Sequence, residues 1–301
     1  MISDSDWAEL LHTRATDPGA VRRAYADRVR RDRLLSKRGT LFLVAADHPA
    51  RGALGVGDRP TAMADRRDLL NRLLVALTDP DVDGLLATPD VIEELLLLDG
   101  LHGKVVIGSM NRGGLAGARW EIDDRFTAYD VQSIVDNRLD GGKMLLRIVD
   151  SDAGTAPTLE ACARAVSGLA AHGLMAMVEP LPYRRDDVGE LVLRKEPAAL
   201  ARAVTVASGL GVTSAHTWLK LPAPDDLSIL DATTLPVVVL GGVPSGRVAD
   251  DLAAWSPALG HPVVRGLVVG RTLLYPPDDD VAGAVEAAGK VLWAKASGAP
   301  A

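Results

Sequence analysis

The sequence predicts an α/β fold, a closed barrel of eight parallel strands with outer helices. Three observations predict it. Eight short apolar runs alternate with helical patterns along most of the chain, which is how a parallel sheet with crossover helices reads. The first run is followed by Asp47-His-Pro-Ala-Arg-Gly52 and not by the Gly-rich turn that opens a doubly wound open sheet. The length, 301 residues, accommodates a barrel of roughly 250 residues together with an extension at one end.

The elements follow in order. Residues from about Asp4 to Lys37 are charged and helical in pattern, with Arg22, Arg23, Arg28, Arg30, Arg31, Arg33 and Arg38 crowded together. A solvated helical extension over residues 1–38, covering one end of a catalytic barrel spanning 39–301, is expected. The strands are expected at Leu41–Ala46, Gly84–Thr88, Lys104–Ser109, Lys143–Val149, Leu174–Glu179, Ala215–Lys220, Val237–Gly241 and Gly266–Gly270. Helices are expected between them at Ala62–Leu77, Val91–Leu98, Ala128–Arg138, Leu159–His172, Pro197–Gly209 and Gly246–Leu259, with a last one at Val281–Lys295. Only a short connection, Asp225–Ala232, follows the sixth strand. The long segment Asn111–Tyr129 is expected over the active face or against a neighbouring molecule.

Composition narrows the class. The formal net charge of −7 gives no support to nucleic-acid binding. No apolar run is long enough to span a bilayer, and Met1-Ile-Ser-Asp-Ser-Asp-Trp7 is too polar for a secretory leader, so a cytoplasmic protein without membrane or nucleic-acid partners is expected. The single cysteine, Cys162, lies in an Ala-rich helical pattern and reads as a small core residue.

In such a barrel chemistry gathers at the C-terminal ends of the strands. The run Thr213-Ser-Ala-His-Thr-Trp-Leu-Lys220-Leu-Pro222 is a buried strand ending in an amine. An amine held away from water loses part of its preference for the charged form, and a neutral amine attacks carbonyls to form an imine. Alternation places His216, Trp218 and Lys220 on one face, and Lys143, Leu145 and Arg147 on one face of the fourth strand. Asp47 ends the first strand and Glu179 the fifth. An interior holding Asp47, Lys143, Arg147, Glu179 and Lys220 is expensive as mere structure, which makes it a site candidate. Gly241-Gly242 and Gly270-Arg271 end the last two strands, where glycine lets backbone N–H groups approach a phosphate and Arg271 or Arg247 adds a cation.

These residues resemble the class I, Schiff-base aldolase superfamily. It includes tagatose-bisphosphate, archaeal-type fructose-bisphosphate and deoxyribose-phosphate aldolases and a thiolase-like autoinducer-processing enzyme. The likeness runs from about Leu41 to Tyr275 and is nearest to an aldolase-like branch without an assigned substrate. Asp47-His-Pro-Ala-Arg51-Gly52-Ala53-Leu54 resembles a lengthened form of the Asp-Gln-Arg-Gly-Ala-Leu segment of the tagatose-bisphosphate group. Lys143, Glu179, Lys220-Leu-Pro222 and Gly270-Arg271 match that group's residues in strands four, five, six and eight. The chain departs from the archaeal type in having Leu240-Gly241-Gly242 for Ser-Gly-Gly and Arg147 near the place of a tyrosine.

The resemblance implies a lyase that makes or breaks a carbon–carbon bond in a keto-sugar or sugar phosphate, without a cofactor or metal, and a homo-oligomer. Lys220 would form the imine. Lys143 would hold Lys220 neutral and move protons, Asp47 or Glu179 would be the base, and Arg147 would bind a substrate oxygen or carboxylate. Two alternatives stay open: a metal-dependent isomerase or class II aldolase-like barrel using Asp47, His48, Glu179 and His216, and a phosphosugar-binding regulator without catalysis.

Overall fold

A computed structural model describes residues 1–296. Eight parallel strands close into a barrel: β1 (Leu41–Ala45), β2 (Gly84–Ala87), β3 (Val105–Ser109), β4 (Gly141–Ile148), β5 (Met175–Arg185), β7 (Thr217–Pro222), β8 (Val237–Leu240) and β9 (Val264–Val269). Each pairs with the next in parallel, and β9 returns to β1. The remaining strand, β6 (Leu191–Leu193), runs antiparallel to the outer part of β5. Around the barrel lie α3 (Arg66–Thr78), α4 (Pro89–Leu97), α5 (Val131–Asp136), α6 (Thr155–Ala171), α7 (Pro197–Ser208), α8 (Val248–Leu259), the short α9 (Arg271–Leu274) and α10 (Val281–Ala296), while α1 (Asp4–Thr16) and α2 (Gly19–Asp27) precede it.

Alternation along each strand divides the core in two. Outward side chains such as Phe42, Val44, Leu85, Val106, Met144, Val178, Leu219 and Val239 pack beneath the helices. Inward ones form a separate apolar plug of Leu41, Leu43, Ala45, Leu86, Val105, Ile107, Met175, Met177, Trp218, Val238 and Val268. Gly266 shows how tight the wall is, because a Cβ there would lie 1.8 Å from the Leu41 carbonyl oxygen. Trp218 belongs to this plug, below Lys220 in the same strand. Cys162 is fully buried in the outer layer, and burial pushes its thiol up to about 12.

The expected N-terminal helix ends early, at Asp27, and the arginines after it are mostly paired rather than solvated. Residues 28–40 run irregularly across the N-terminal end of the barrel, where Leu34 and Leu35 pack on the inner plug. Arg28 is buried against the Lys104 and Arg138 carbonyls, and both Arg28 and Arg30 reach Asp140, at 3.4 and 2.9 Å. Arg31 pairs with Asp83 at 2.5 Å. Asp83 and Asp140 also accept the N–H groups of Phe42 and Val106, so each carboxylate ties a strand start to an incoming guanidinium. A helix through 28–37 would forgo these pairs.

A second difference lies at the other end. β5 continues six residues past Glu179, to Arg185, and folds back through β6, so a hairpin stands beside the barrel mouth.

Asp140→Ala strands the buried Arg28 without its carboxylate, and about 3–5 kcal/mol of stability should be lost, read from urea unfolding midpoints. Wild-type stability in that variant would mean that the barrel base does not depend on these pairs.

Candidate active site

Above the apolar plug the interior turns ionic. Asp47 leaves the end of β1, Lys143 and Arg147 point inward from β4, Glu179 from β5 and Lys220 from β7. Register sets their heights: Lys143 lies opposite Met177, Glu179 lies opposite Leu145, and the β5–β7 ladder, continued one step past Val178–Leu219, brings Glu179 level with Lys220. Lys143 therefore sits one layer deeper than Lys220.

One carboxylate oxygen joins the two amines. Glu179 Oε2 is 2.5 Å from Lys143 Nζ and 3.0 Å from Lys220 Nζ. Lys143 Nζ is also 3.2 Å from Asp47 Oδ2, which accepts a 3.1 Å hydrogen bond from Ser109 Oγ and lies 3.1 Å from Arg112 Nη1. The side chains of Lys143 and Asp47 are each 2% exposed, against 5% for Lys220 and 10% for Glu179. The last two are thus the members of the cluster that reach the mouth.

Burial opposes every charge here, and the neighbours decide the outcome. Burial would raise the Glu179 carboxyl, yet the two ammonium groups, Lys143 foremost, bring it down to about 2. Burial likewise works to raise Asp47, but Arg112 and Lys143 hold it well below the usual carboxylate range. Lys143 falls to about 8, chiefly by burial, because the attraction of Asp47 and Glu179 compensates only in part.

Gly241, Gly242, Gly270 and Arg271 lie together at the ends of β8 and β9. Arg271, at the start of α9, lies 3.4 Å from the Gly242 carbonyl oxygen and 3.4 Å from that of Gly55, while its buried Nε has no partner among the described residues. Gly242 has a positive φ of 69°, and Gly270 packs against the end of β1, where a Cβ would sit 2.5 Å from the Ala45 carbonyl oxygen. A side chain at Gly241 would meet Val269. Arg247 does not join them. It is largely exposed, near Asp250, on an outer cleft shared with Arg59 and Tyr275.

Arg147 points inward as expected but is occupied within the chain. Its guanidinium is held by Glu121, by the Gly114 carbonyl at 3.1 Å and by Asp124 at 3.4 Å. Arg51 binds the same Asp124 at 2.7 Å and the Gly114 carbonyl at 3.1 Å. The long segment after β3 is thereby clamped over the barrel mouth, so Arg147, expected at a substrate oxygen or carboxylate, also holds this cover, and its buried Nε has no partner among the described residues. Arg112, Asp124 and Ser109 were given no role by sequence reasoning. The polar run Ser109-Met-Asn111-Arg112 at the end of the third strand is the signal that points to Ser109 and Arg112, and Asp124 carries none.

The four side chains of the metal alternative do not gather. His216 precedes β7, four residues before Lys220, which places it about 13 Å away at the opposite end of the barrel. His48 lies beside Asp47, with Nδ1 3.7 Å from Oδ1, and burial lowers its imidazole to about 3.

The Cgl0159-like family matches residues 39–289. The chain belongs to that family. Its structure is similar to that of Cgl0159 from Corynebacterium glutamicum, with 48% identity over 98% of this chain and 99% of that one and a TM-score of 0.94. At 18% identity it shares its fold with an archaeal fructose 1,6-bisphosphate aldolase (TM-score 0.66, covering 91% of this chain and 99% of that one). At 16% it does so with a fructose-bisphosphate aldolase from Slackia heliotrinireducens (TM-score 0.66, 93% and 88%). No curated protein matches the chain. Among the described residues no helix is long and apolar enough to cross a membrane.

The Glu179 carboxyl, ordinarily near 4.5 and here near 2, contributes stability that is full above pH 4.5 and lost as pH falls toward 2. Glu179→Gln removes that titration. Its stability should fall less steeply than wild type across this window, by up to one proton's worth, ~1.4 kcal/mol per pH unit. Acid unfolding curves of equal slope would show that Glu179 is not held by the two lysines.

Proposed function

We propose that the protein is a class I aldolase that cleaves or forms a carbon–carbon bond in a keto-sugar or sugar phosphate through an imine on Lys220. The observation that carries this reading is the Glu179 oxygen shared between a deep lysine and one at the mouth. A purely structural ion pair needs one amine; the second makes a site in which one amine can react while the other keeps the carboxylate charged. The archaeal aldolases with this fold include one whose catalytic lysine is covalently bound to a carbinolamine intermediate.

The steps follow from position. Lys220 Nζ adds to the substrate carbonyl carbon, and loss of water leaves a protonated imine. A carboxylate takes the proton from the hydroxyl on the carbon that becomes the aldehyde. The carbon–carbon bond breaks, its electron pair moves into the imine to give an enamine, and the aldehyde departs. Protonation of the enamine carbon and hydrolysis then restore the amine. Between the two acids, geometry favours Glu179 as base, since it touches Lys220 and reaches the mouth, whereas Asp47 Oδ2 is taken up by Ser109, Lys143 and Arg112. A carboxylate near 2 is always ionised at neutral pH but is a weak base. Lys143, at about 8 and 2.5 Å away, is matched to exchange that proton near neutrality. Gly241, Gly242, Gly270 and Arg271 would hold a phosphate, using remote binding energy to place the reacting carbonyl.

Borohydride reduction with a panel of phosphorylated and free ketoses and aldehydes, followed by peptide mapping, tests this reading. An adduct on the peptide containing Lys220 is expected, absent in Lys220→Met. In Lys143→Met the adduct should still form at Lys220 while turnover drops by roughly 10²–10⁴-fold. An adduct on Lys143 would move the nucleophile. No adduct with any carbonyl compound would overturn the imine chemistry.

A further inference from the structure

Arg112 touches the reacting cluster and is not fully used by the protein. Its side chain is 5% exposed. Nε donates to the Asn111 carbonyl at 2.6 Å, and Nη1 donates to the Asp47 carbonyl at 3.0 Å and lies 3.1 Å from Asp47 Oδ2. Nη2 has no partner among the described residues, although it is buried. A buried charged donor left unmade is costly, and an oxygen of a water or a ligand satisfies it. Because Nη2 and Nη1 share one carbon, whatever Nη2 binds lies beside Asp47 and hence beside Lys143 and Glu179.

Charge decides what that ligand is. Once the imine is protonated, the centre holds three cations, at Lys220, Lys143 and Arg112, against two carboxylates, Asp47 and Glu179. Arg51 and Arg147 supply no relief, being matched by Asp124 and Glu121. One positive charge remains uncompensated in a water-poor interior. Arg112 follows β3, on the wall across the barrel from β8, whose end carries Gly241 and Gly242. Its free arm is therefore separate from the phosphate cradle.

Resting on the imine reading above, we propose that Arg112 is a substrate-binding residue whose Nη2 receives an anionic oxygen, carboxylate or phosphate, carried next to the carbonyl that forms the imine. The substrates this favours have an acid group close to the reacting carbonyl, as in 2-keto acids, in addition to any remote phosphate. Arg112 gives affinity for that group and orients it with the same guanidinium that fixes Asp47.

Calorimetric titration of wild type, Arg112→Gln, Arg112→Lys and Arg271→Gln with oxalate and with inorganic phosphate tests this without requiring any chemistry. Thermal melts accompany each variant, and Arg112→Lys keeps a cation on Asp47. Oxalate affinity should fall at least tenfold in Arg112→Gln and substantially in Arg112→Lys, while Arg271→Gln leaves it unchanged. Phosphate following the same pattern would identify the group as a phosphate instead of a carboxylate. No oxalate or phosphate binding to wild type at millimolar concentration, or affinity lost only in Arg271→Gln, would overturn the proposal. In parallel, borohydride trapping with pyruvate and with acetone separates the two readings. Pyruvate trapped at lower concentration than acetone in wild type but not in Arg112→Gln supports Arg112. Equal loss for both carbonyls limits Arg112 to positioning Asp47, and no trapping at all sinks the imine while the titration still decides Arg112.

Discussion

The upper half of the barrel depends on one oxygen atom. Glu179 Oε2 accepts from both Lys143 and Lys220 in an interior where an unpaired ammonium would be prohibitive. Removing that carboxylate leaves two like charges facing each other with Asp47 as the nearest counter-ion to the deeper one only. The arrangement has a direction as well. Lys143 is sealed between two acids, and Lys220 has a single acid and an opening, so the same ionic contact that stabilises the interior leaves the outer amine available. Register produces this asymmetry, since Lys143 and Lys220 stand at different heights on strands flanking β5.

The two ends of the barrel treat charge in opposite ways. At the N-terminal end, Arg28, Arg30 and Arg31 meet Asp83 and Asp140, which also hold backbone N–H groups, and an apolar plug topped by Trp218 and Met177 isolates them from the site. There the pairs close the fold. At the mouth, Arg51 and Arg147 pair with Asp124 and Glu121 and clamp the segment after β3, whereas Arg112 reaches into the cluster of Asp47, Lys143 and Glu179.

Much of this was legible in the sequence, for physical reasons. Buried parallel strands are short apolar runs, so the barrel strands were visible, and a lysine interrupting such a run at Lys143 or closing one at Lys220 stands out because hydrocarbon neighbours cannot satisfy it. Side-chain parity then placed Lys143 and Arg147 on one face before any partner was known. What stayed hidden depended on contacts between distant residues. Arg147 was oriented correctly, but its partners Glu121 and Asp124 come from a segment without periodicity. The outer part of β5 is interrupted by Pro180 and Pro182, and its last residues, Tyr183–Arg185, pair with its own return strand, so no core pattern marks it. Arg28 to Arg31 read as a solvated helix because nothing local shows that Asp83 and Asp140 wait at the strand starts.

Lys143 governs Lys220 through the carboxylate they share. The rate of imine formation at Lys220, followed by borohydride quenching from pH 6 to 10 in wild type and in Lys143→Met, addresses it most directly. An inflection near pH 8 is expected in wild type, where Lys143 loses its proton, and it should disappear when residue 143 cannot titrate. An identical profile in the two proteins would contradict it.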